Sequence, residues 1–213
     1  MRVIVIGAGG HARVVLDILD QCRGIEIYGL LDDDPRRHGL RLQGRPVLGG
    51  TSVLERLPAD GVRFGVVAVG DNARRRELCG RLRATGIELL SAAVHPSAVV
   101  SRHARLDAGT VVMPNAVVNA GARVGEGVVI NTAAVVEHDC VVGDWSHVAP
   151  GARLGGAVAV GRGVLVGMGA VVLPRLTVGD GAVVGAASLV VSDVAAEVTV
   201  CGVPARLQGG EAQ

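Results

Sequence analysis

Two histidines carry the strongest chemical signal in this chain of 213 residues. His138 stands in Glu137-His138-Asp139-Cys140 and His147 in Asp144-Trp145-Ser146-His147, nine residues further on. A carboxylate on either side of His138 would hold its imidazole in one tautomer, as a general base requires. Of the other histidines, His38 follows Pro35-Arg36-Arg37 in a polar stretch and reads as solvated, while His95 and His103 read as structural. A metal centre is disfavoured, because no third imidazole or thiolate recurs at a matching spacing. The cysteines Cys22, Cys79, Cys140 and Cys201 form no Cys-x-x-Cys pair and read as free thiols. Residue chemistry alone leaves His138 open between base and structural residue.

A second signal lies near the N-terminus. The apolar run Val3-Ile4-Val5-Ile6 enters Gly7-Ala8-Gly9-Gly10-His11-Ala12, and an acid, Asp32, follows 25 residues after Gly7. A Gly-x-Gly-x-x-Ala turn between strand and helix fits a nucleotide-phosphate cradle, in which backbone N–H groups at the helix start face phosphate. Asp32 or Asp33 would then accept from ribose hydroxyls or a base edge. Gly70-Asp71-Asn72 ends another strand on the same sheet edge, where ligands of such folds bind. The alternative is a tight turn that merely needs glycine, and both readings stand.

The elements that must position these groups follow from composition and period. Hydrophobic residues make up 49% of the chain and aromatics 1%, with Tyr28, Phe64 and Trp145 the aromatic set and 32 glycines beside them. Such a core is filled by aliphatics against closely approaching backbone, which suits a thin, regular architecture. From Val94, every sixth residue through Val190 is Val, Leu or Ile, 17 positions without a polar interruption. Chance would give that run with a probability on the order of 10⁻⁵. Small residues recur four places later (Ala98, Ala104, Ala116, Cys140, Ser146), and glycine often follows the aliphatic directly. Each hexad is expected to form one short strand and one corner of a triangular prism, three hexads making a coil. The aliphatic points inward, the small residue fits near a corner, and the following glycine is expected to relieve the backbone at the turn. Cys140, at a small inward position, reads as packing.

Residues 1–91 read as a different unit. Strands at Arg2–Ile6, Ile25–Leu31, Arg63–Val69 and Ile87–Leu90 alternate with helical patterns through about Cys22 and over Ala73–Ala84, which predicts a small parallel α/β sheet. The fold class is therefore α/β followed by β: a Rossmann-like unit at 1–91 and a parallel β-helix at 92–213. The net charge of +1, with no basic tract or stacking platform, argues against nucleic acid as partner. No apolar run reaches the ~18 residues of a membrane span. The opening apolar run is too short for a signal-peptide core, so a cytoplasmic location is expected.

Ile6-Gly7-Ala8-Gly9-Gly10-His11, Leu31-Asp32-Asp33, Val69-Gly70-Asp71-Asn72, Asn131 through Cys140 and Gly202-Val203-Pro204-Ala205-Arg206 together resemble the NeuD/PglD-type sugar acetyltransferases, a branch of the hexapeptide-repeat acyltransferases. The resemblance covers the whole chain. It implies a left-handed β-helix, a homotrimer, and acetyl-CoA as cosubstrate bound between adjacent prisms. It also implies N-acetylation of a nucleotide-linked amino sugar for bacterial glycan or surface polysaccharide synthesis. Carried over, His138 matches the base and Asp139 the acid that polarises it. His147 matches a residue near the thioester and Gly156 a backbone oxyanion donor. Met168 and Ala186 match pantetheine-channel positions, Ala186 replacing a glycine, and Arg206 belongs with the acetyl-CoA contacts. Gly9, Gly10, His11, Asp32, Asp33, Gly70, Asn72 and Asn131 fall to the acceptor. Direct transfer needs no Ser or Cys nucleophile. O-acetylation of a sialic acid-like sugar and a non-enzymatic, nucleotide-sensing trimeric scaffold are the rival readings.

A last expectation concerns the prism's exterior. Val99, Val111, Val117, Val129, Val135, Val141, Leu165, Val171, Val183 and Leu189 each precede an inward aliphatic and should point outward. Left bare, they would form an unusually large apolar patch, which implies a threefold assembly. In it, Asn131 and His138 would face His147 or the acetyl-CoA channel across a subunit boundary.

Overall fold

The computed structural model describes residues 1–208. Strands β1 (Arg2–Ile6), β2 (Glu26–Leu31), β3 (Arg41–Leu42), β4 (Arg45–Gly49), β5 (Phe64–Val67) and β6 (Glu88–Leu89) form one sheet in the order β3-β4-β2-β1-β5-β6. Every pairing is parallel except β3 with β4. Helix α1 (Gly10–Gln21) buries Ala12, Val15, Leu16, Ile18 and Leu19, the apolar stripe of a 3.6-residue period. Helix α2 (Asn72–Ala84) buries Leu78, Cys79 and Leu82. Alternation along β1 separates two cores: Val3 and Val5 pack with α1, Ile4 and Ile6 with α2.

The sheet has two more strands than the sequence pattern showed. β3 and β4 are joined by Gln43-Gly44, both left-handed, as a two-residue hairpin turn of the primed type needs. A strand of two residues, followed by one holding Pro46, offers no alternation to read. The segment Thr51–Asp60, a 3-10 helix, was likewise invisible to an α-helical period.

From Ala93 to Val190 the chain winds through seventeen two-residue strands. They stack into three parallel walls, each strand pairing with the one a coil away, as Val99, Val117, Val135 and Arg153 do. Every hexad aliphatic faces inward: Val112 through Val190 are buried and Val94, Val100 and Leu106 pack partly buried at the top. Burying one such side chain contributes roughly 1.5–3 kcal/mol, so this column outweighs any single turn or ion pair. Thr199–Cys201 extends the first wall and pairs antiparallel with Arg206–Leu207, capping the base.

Two expectations need correction. The glycines directly after the aliphatics are not the turn-makers. The left-handed residue falls three places after the aliphatic, at Asp139, Ala157 or Gly163 for example. The earlier glycine is required by close approach instead, since a Cβ on Gly143 would lie 2.6 Å from the Gly161 carbonyl in the next coil. The outward aliphatics also differ by wall. On the first wall Val111 and Val129, with Ala93, are buried by α1 and its sheet within the same chain, not by a neighbour. The second wall shows Val99, Val117, Val135, Arg153, Val171 and Leu189, none of them buried. The third shows Arg105, Arg123, Val141, Ala159 and Thr177.

These two backbone roles respond oppositely to a methyl group. Gly143→Ala should lower the unfolding free energy by about 1–3 kcal/mol, the usual cost of overpacking. Ala133→Gly, at a left-handed position (φ 55°), should be neutral or stabilising by up to about 1 kcal/mol. Urea denaturation of both variants checks this; equal losses would contradict the assignment of strain to the third residue.

Candidate active site

The walls meet at three edges, and residues one coil apart stack along each. On the edge between the second and third walls, the His138 imidazole rests over Gly156, where a Cβ would lie 2.5 Å from Nε2. Asp139 reaches back to its neighbour, with Oδ2 accepting from Nδ1 of His138 at 2.9 Å. The left-handed backbone of Asp139 (φ 61°) brings the short carboxylate round to the ring. Donation from Nδ1–H to Asp139 fixes the tautomer that leaves Nε2 free to take a proton. Both side chains are more than half exposed, at 62% and 68%. Glu137 turns away: its carboxylate accepts from Nδ2 of Asn119 and the backbone N–H of His138. Among the described residues, no acceptor lies on the Gly156 N–H. A proton acceptor and an open backbone donor thus stand side by side, the pair that acyl transfer requires.

The edge between the first and second walls carries a different set. Met168 and Ala186, one coil apart, are exposed and tied by a bond from Ala187 N–H to the Met168 carbonyl at 2.8 Å. Asn131 lies above them and donates from Nδ2 to Nε2 of His147 at 2.9 Å, while its Oδ1 accepts from Thr132 N–H. Asn131 and His147 therefore meet within one chain, contrary to the expected contact across a boundary; residues 16 apart bring a corner beside the next strand of the same wall. Arg206 is exposed at the base, lining a cavity of about 310 Å³ with Val190, Val194 and Val200.

His147 belongs to the junction with the α/β unit. Its Nδ1 lies 3.3 Å from the Gly70 carbonyl, and its ring stands edge-on to His11, centroids 6.4 Å apart. Burial first, then the charge of Arg75, lowers His11 to about 4. Burial, Arg75 and His11 lower His147 to about 4, against a small opposing contribution from the Gly70 carbonyl.

The remaining sequence-predicted residues lie around the glycine-rich turn. Gly9 precedes α1 and Gly10 opens it. Asp32 accepts from the N–H groups of Ala8 and Asp34, bracing the turn. Asp33 accepts from Thr51 N–H and Oγ1 and pairs with Arg74. Burial pushes its carboxyl up, but Thr51, Arg74 and Arg81 more than offset this and leave it below its ordinary value. Asn72 is fully committed: Nδ2 donates to the Gly163 and Val164 carbonyls, and Oδ1 accepts from Arg75. Asn72 is left with no donor for a ligand. A cleft of about 630 Å³ opens beside it, between the start of α2 and the first wall, lined by Gly70, Arg76, Trp145, Arg162, Leu165 and Val183. Arg76 lies over the Trp145 ring, 4.9 Å from its centroid. Trp145 and Arg75 were missed in the sequence, since an isolated tryptophan and one of three successive arginines carry no spacing signal.

Comparison with known proteins bears on the family and the fold. The family model for the PglD N-terminal domain matches residues 2–82. A Bacillus subtilis protein named UDP-N-acetylbacillosamine N-acetyltransferase is 37% identical over 114 residues, 53% of this chain and 51% of the relative. That match spans about half the relative's length. A His-to-Asn variant of perosamine N-acetyltransferase from Caulobacter crescentus, in complex with CoA and GDP-perosamine, superposes with a TM-score of 0.93 at 40% identity, covering 99% of this chain and 98% of that one. The acetyltransferase domain of PglB from Neisseria gonorrhoeae, in complex with acetyl coenzyme A, gives 0.88 at 38% identity over 97% and 98%. The chain belongs to the hexapeptide-repeat sugar acetyltransferases with a PglD-type N-terminal domain, and its coil is their left-handed β-helix.

Two half-buried neutral histidines make the fold sensitive to acid. The unfolded chain takes up protons at both near pH 6.5, whereas the folded chain resists until about pH 4. Stability is therefore full above that window and falls through it, by on the order of 2–3 kcal/mol per histidine. Asp34, drawn down to about 2 by hydrogen bonds from Arg36, titrates below the window. Urea unfolding between pH 7 and 4.5 should show this loss, and His11→Gln or His147→Gln should flatten it. An unchanged slope in both variants would contradict the assignment.

Proposed function

We propose that the protein transfers the acetyl group of acetyl-CoA to the amine of a nucleotide-linked amino sugar, with His138 as general base. The observation that carries the reading is the Asp139–His138–Gly156 cluster: an oriented imidazole whose Nε2 sits beside an open N–H. The amine nitrogen attacks the thioester carbon and gives its proton to Nε2, while Gly156 N–H stabilises the oxyanion. The C–S bond then breaks, and CoA leaves as the thiol after regaining a proton. Met168, Ala186 and Arg206 are assigned to acetyl-CoA, with His147 nearby. Gly9, Gly10, His11, Asp32, Asp33, Gly70 and Asn131 are assigned to the acceptor side, and Asn72 shapes the cleft.

The working unit is a homotrimer. Met168 and Ala186 occupy one edge of the prism and His138 another, with the largely apolar second wall between them. Turning three second walls toward a common axis covers that wall and brings the first edge of one chain against the second edge of the next. The two halves of the site then meet.

Thiol release from acetyl-CoA, measured over UDP- and GDP-linked amino sugars and free sialic acid, tests the reading. Transfer to at least one nucleotide amino sugar is expected, and His138→Asn should fold normally yet lose about 10²–10⁴-fold in kcat. Acetylation of free sialic acid alone would favour O-transfer. A His138→Asn enzyme keeping more than roughly a tenth of wild-type kcat would remove His138 as base.

A further inference from the structure

The most enclosed charge in the molecule has no part in the chemistry so far described. Arg75, on α2, is 1% exposed and is the one buried charged side chain of the described residues. Among the described residues no carboxylate pairs with it; its partners are six neutral acceptors. On the α/β side these are the carbonyls of Val69 (3.1 Å) and Gly70 (3.0 Å) and Oδ1 of Asn72 (2.7 Å). On the prism side they are the carbonyls of Gly127 (2.7 Å), Trp145 (2.7 Å) and Ser146 (3.2 Å). Three acceptors from each part, in the fixed fork of one guanidinium, define how the two parts meet. Burying a cation without a counter-ion is costly, and an aliphatic side chain would serve simple adhesion better.

One of those acceptors has a second client. The Gly70 carbonyl receives Nη1 of Arg75 and also lies on Nδ1 of His147. On the opposite side of that ring, Nε2 faces the Asn131 amide, whose orientation is set because its oxygen is held by Thr132 N–H. An amide N–H can only donate, so Nε2 accepts and Nδ1 carries the proton. The other titratable groups facing His147 are Arg75 itself and His11, whose Nε2 is buried without a partner. Gly70 also lines the cleft beside α2.

We propose that Arg75 is a positioning residue for acetyl transfer: it fixes the acceptor-holding unit on the prism and, through the Gly70 carbonyl it shares with His147, holds that imidazole as the neutral Nδ1–H tautomer against Asn131. The kinetic consequence rests on the transfer reading above; the tautomer does not. Arg75 remains charged at neutral pH even though burial lowers it to about 10. Protonating His147 would set a second cation beside it and turn Nε2 into a donor facing the Asn131 donor.

The test joins imidazole NMR of the full-length protein, with His147→Gln for assignment, to steady-state kinetics of Arg75→Gln and Arg75→Lys. In the wild type, His147 should show the Nδ1–H tautomer and no titration down to about pH 5. Removing the charge in Arg75→Gln should raise its titration midpoint by about one pH unit or more. Arg75→Lys keeps the charge but not the fork. It should preserve the low midpoint while raising the acceptor KM roughly 10–100-fold, the scale of a lost charge-assisted hydrogen bond. The acetyl-CoA KM should stay within about twofold, a split that general loss of fold would not produce. A wild-type His147 that titrates near 6.5, or carries its proton on Nε2, would overturn the proposal even if neither variant folds. So would an Arg75→Gln enzyme with wild-type titration and acceptor KM. Failure of every acceptor with the wild-type enzyme would sink the transfer reading and leave the titration result to decide the tautomer.

Discussion

Residues a coil apart lie one above another because every wall of the prism is an in-register parallel ladder. This constraint governs the rest of the molecule. It turns a six-residue period into three edges and three walls, so chemistry placed at one corner can be supported only from the coil above or below. His138 rests on Gly156, and Met168 stacks on Ala186, for this reason. It also forbids His138 and Met168 from meeting in one chain, because they belong to edges on opposite sides of the second wall. Aliphatics repeated without a break keep the ladder straight.

The α/β unit adds a second constraint. It covers the upper first wall with apolar contacts from α1, burying Val111 and Val129, and leaves the lower part of that wall open as the cleft. Between these regions the contact is polar and centred on Arg75. Apolar packing tolerates small slides, whereas a guanidinium fork with six partners does not. The junction is thus fixed at the point where α2 meets the first wall. The cost is two half-buried histidines kept neutral, consistent with a function placed above stability at that point.

Much of this was legible in the sequence. The inward column from Val94 to Val190, the small corner residues and the His138–Asp139 pair all fall where the period puts them, because each depends only on local spacing. The reach of Asp139 depended on a left-handed backbone, which a turn of known period can suggest but a side-chain pattern cannot. Val111 and Val129 misled because an outward apolar residue records that something covers it, not what does. Asn131 and His147 were assigned to opposite sides of a boundary since spacing gives the wall but not the neighbour. Arg75 was hidden among Arg74, Arg75 and Arg76, three identical residues of which α2 turns one inward. Strand β3 was too short to carry any alternation.

The central claim is that each transfer site is made from the His138 edge of one chain and the Met168 edge of the next. Mixed assembly of two disabled chains tests it: His138→Asn, and a second chain with Met168→Trp to block the acetyl-CoA edge. Each homogeneous variant should be nearly inactive. Unfolded and refolded together in equal amounts, the two should regain activity, with about a quarter of sites pairing an intact His138 edge with an intact Met168 edge. Activity that stays at the level of the separate variants, despite verified mixed trimers, would show that each chain builds its site alone.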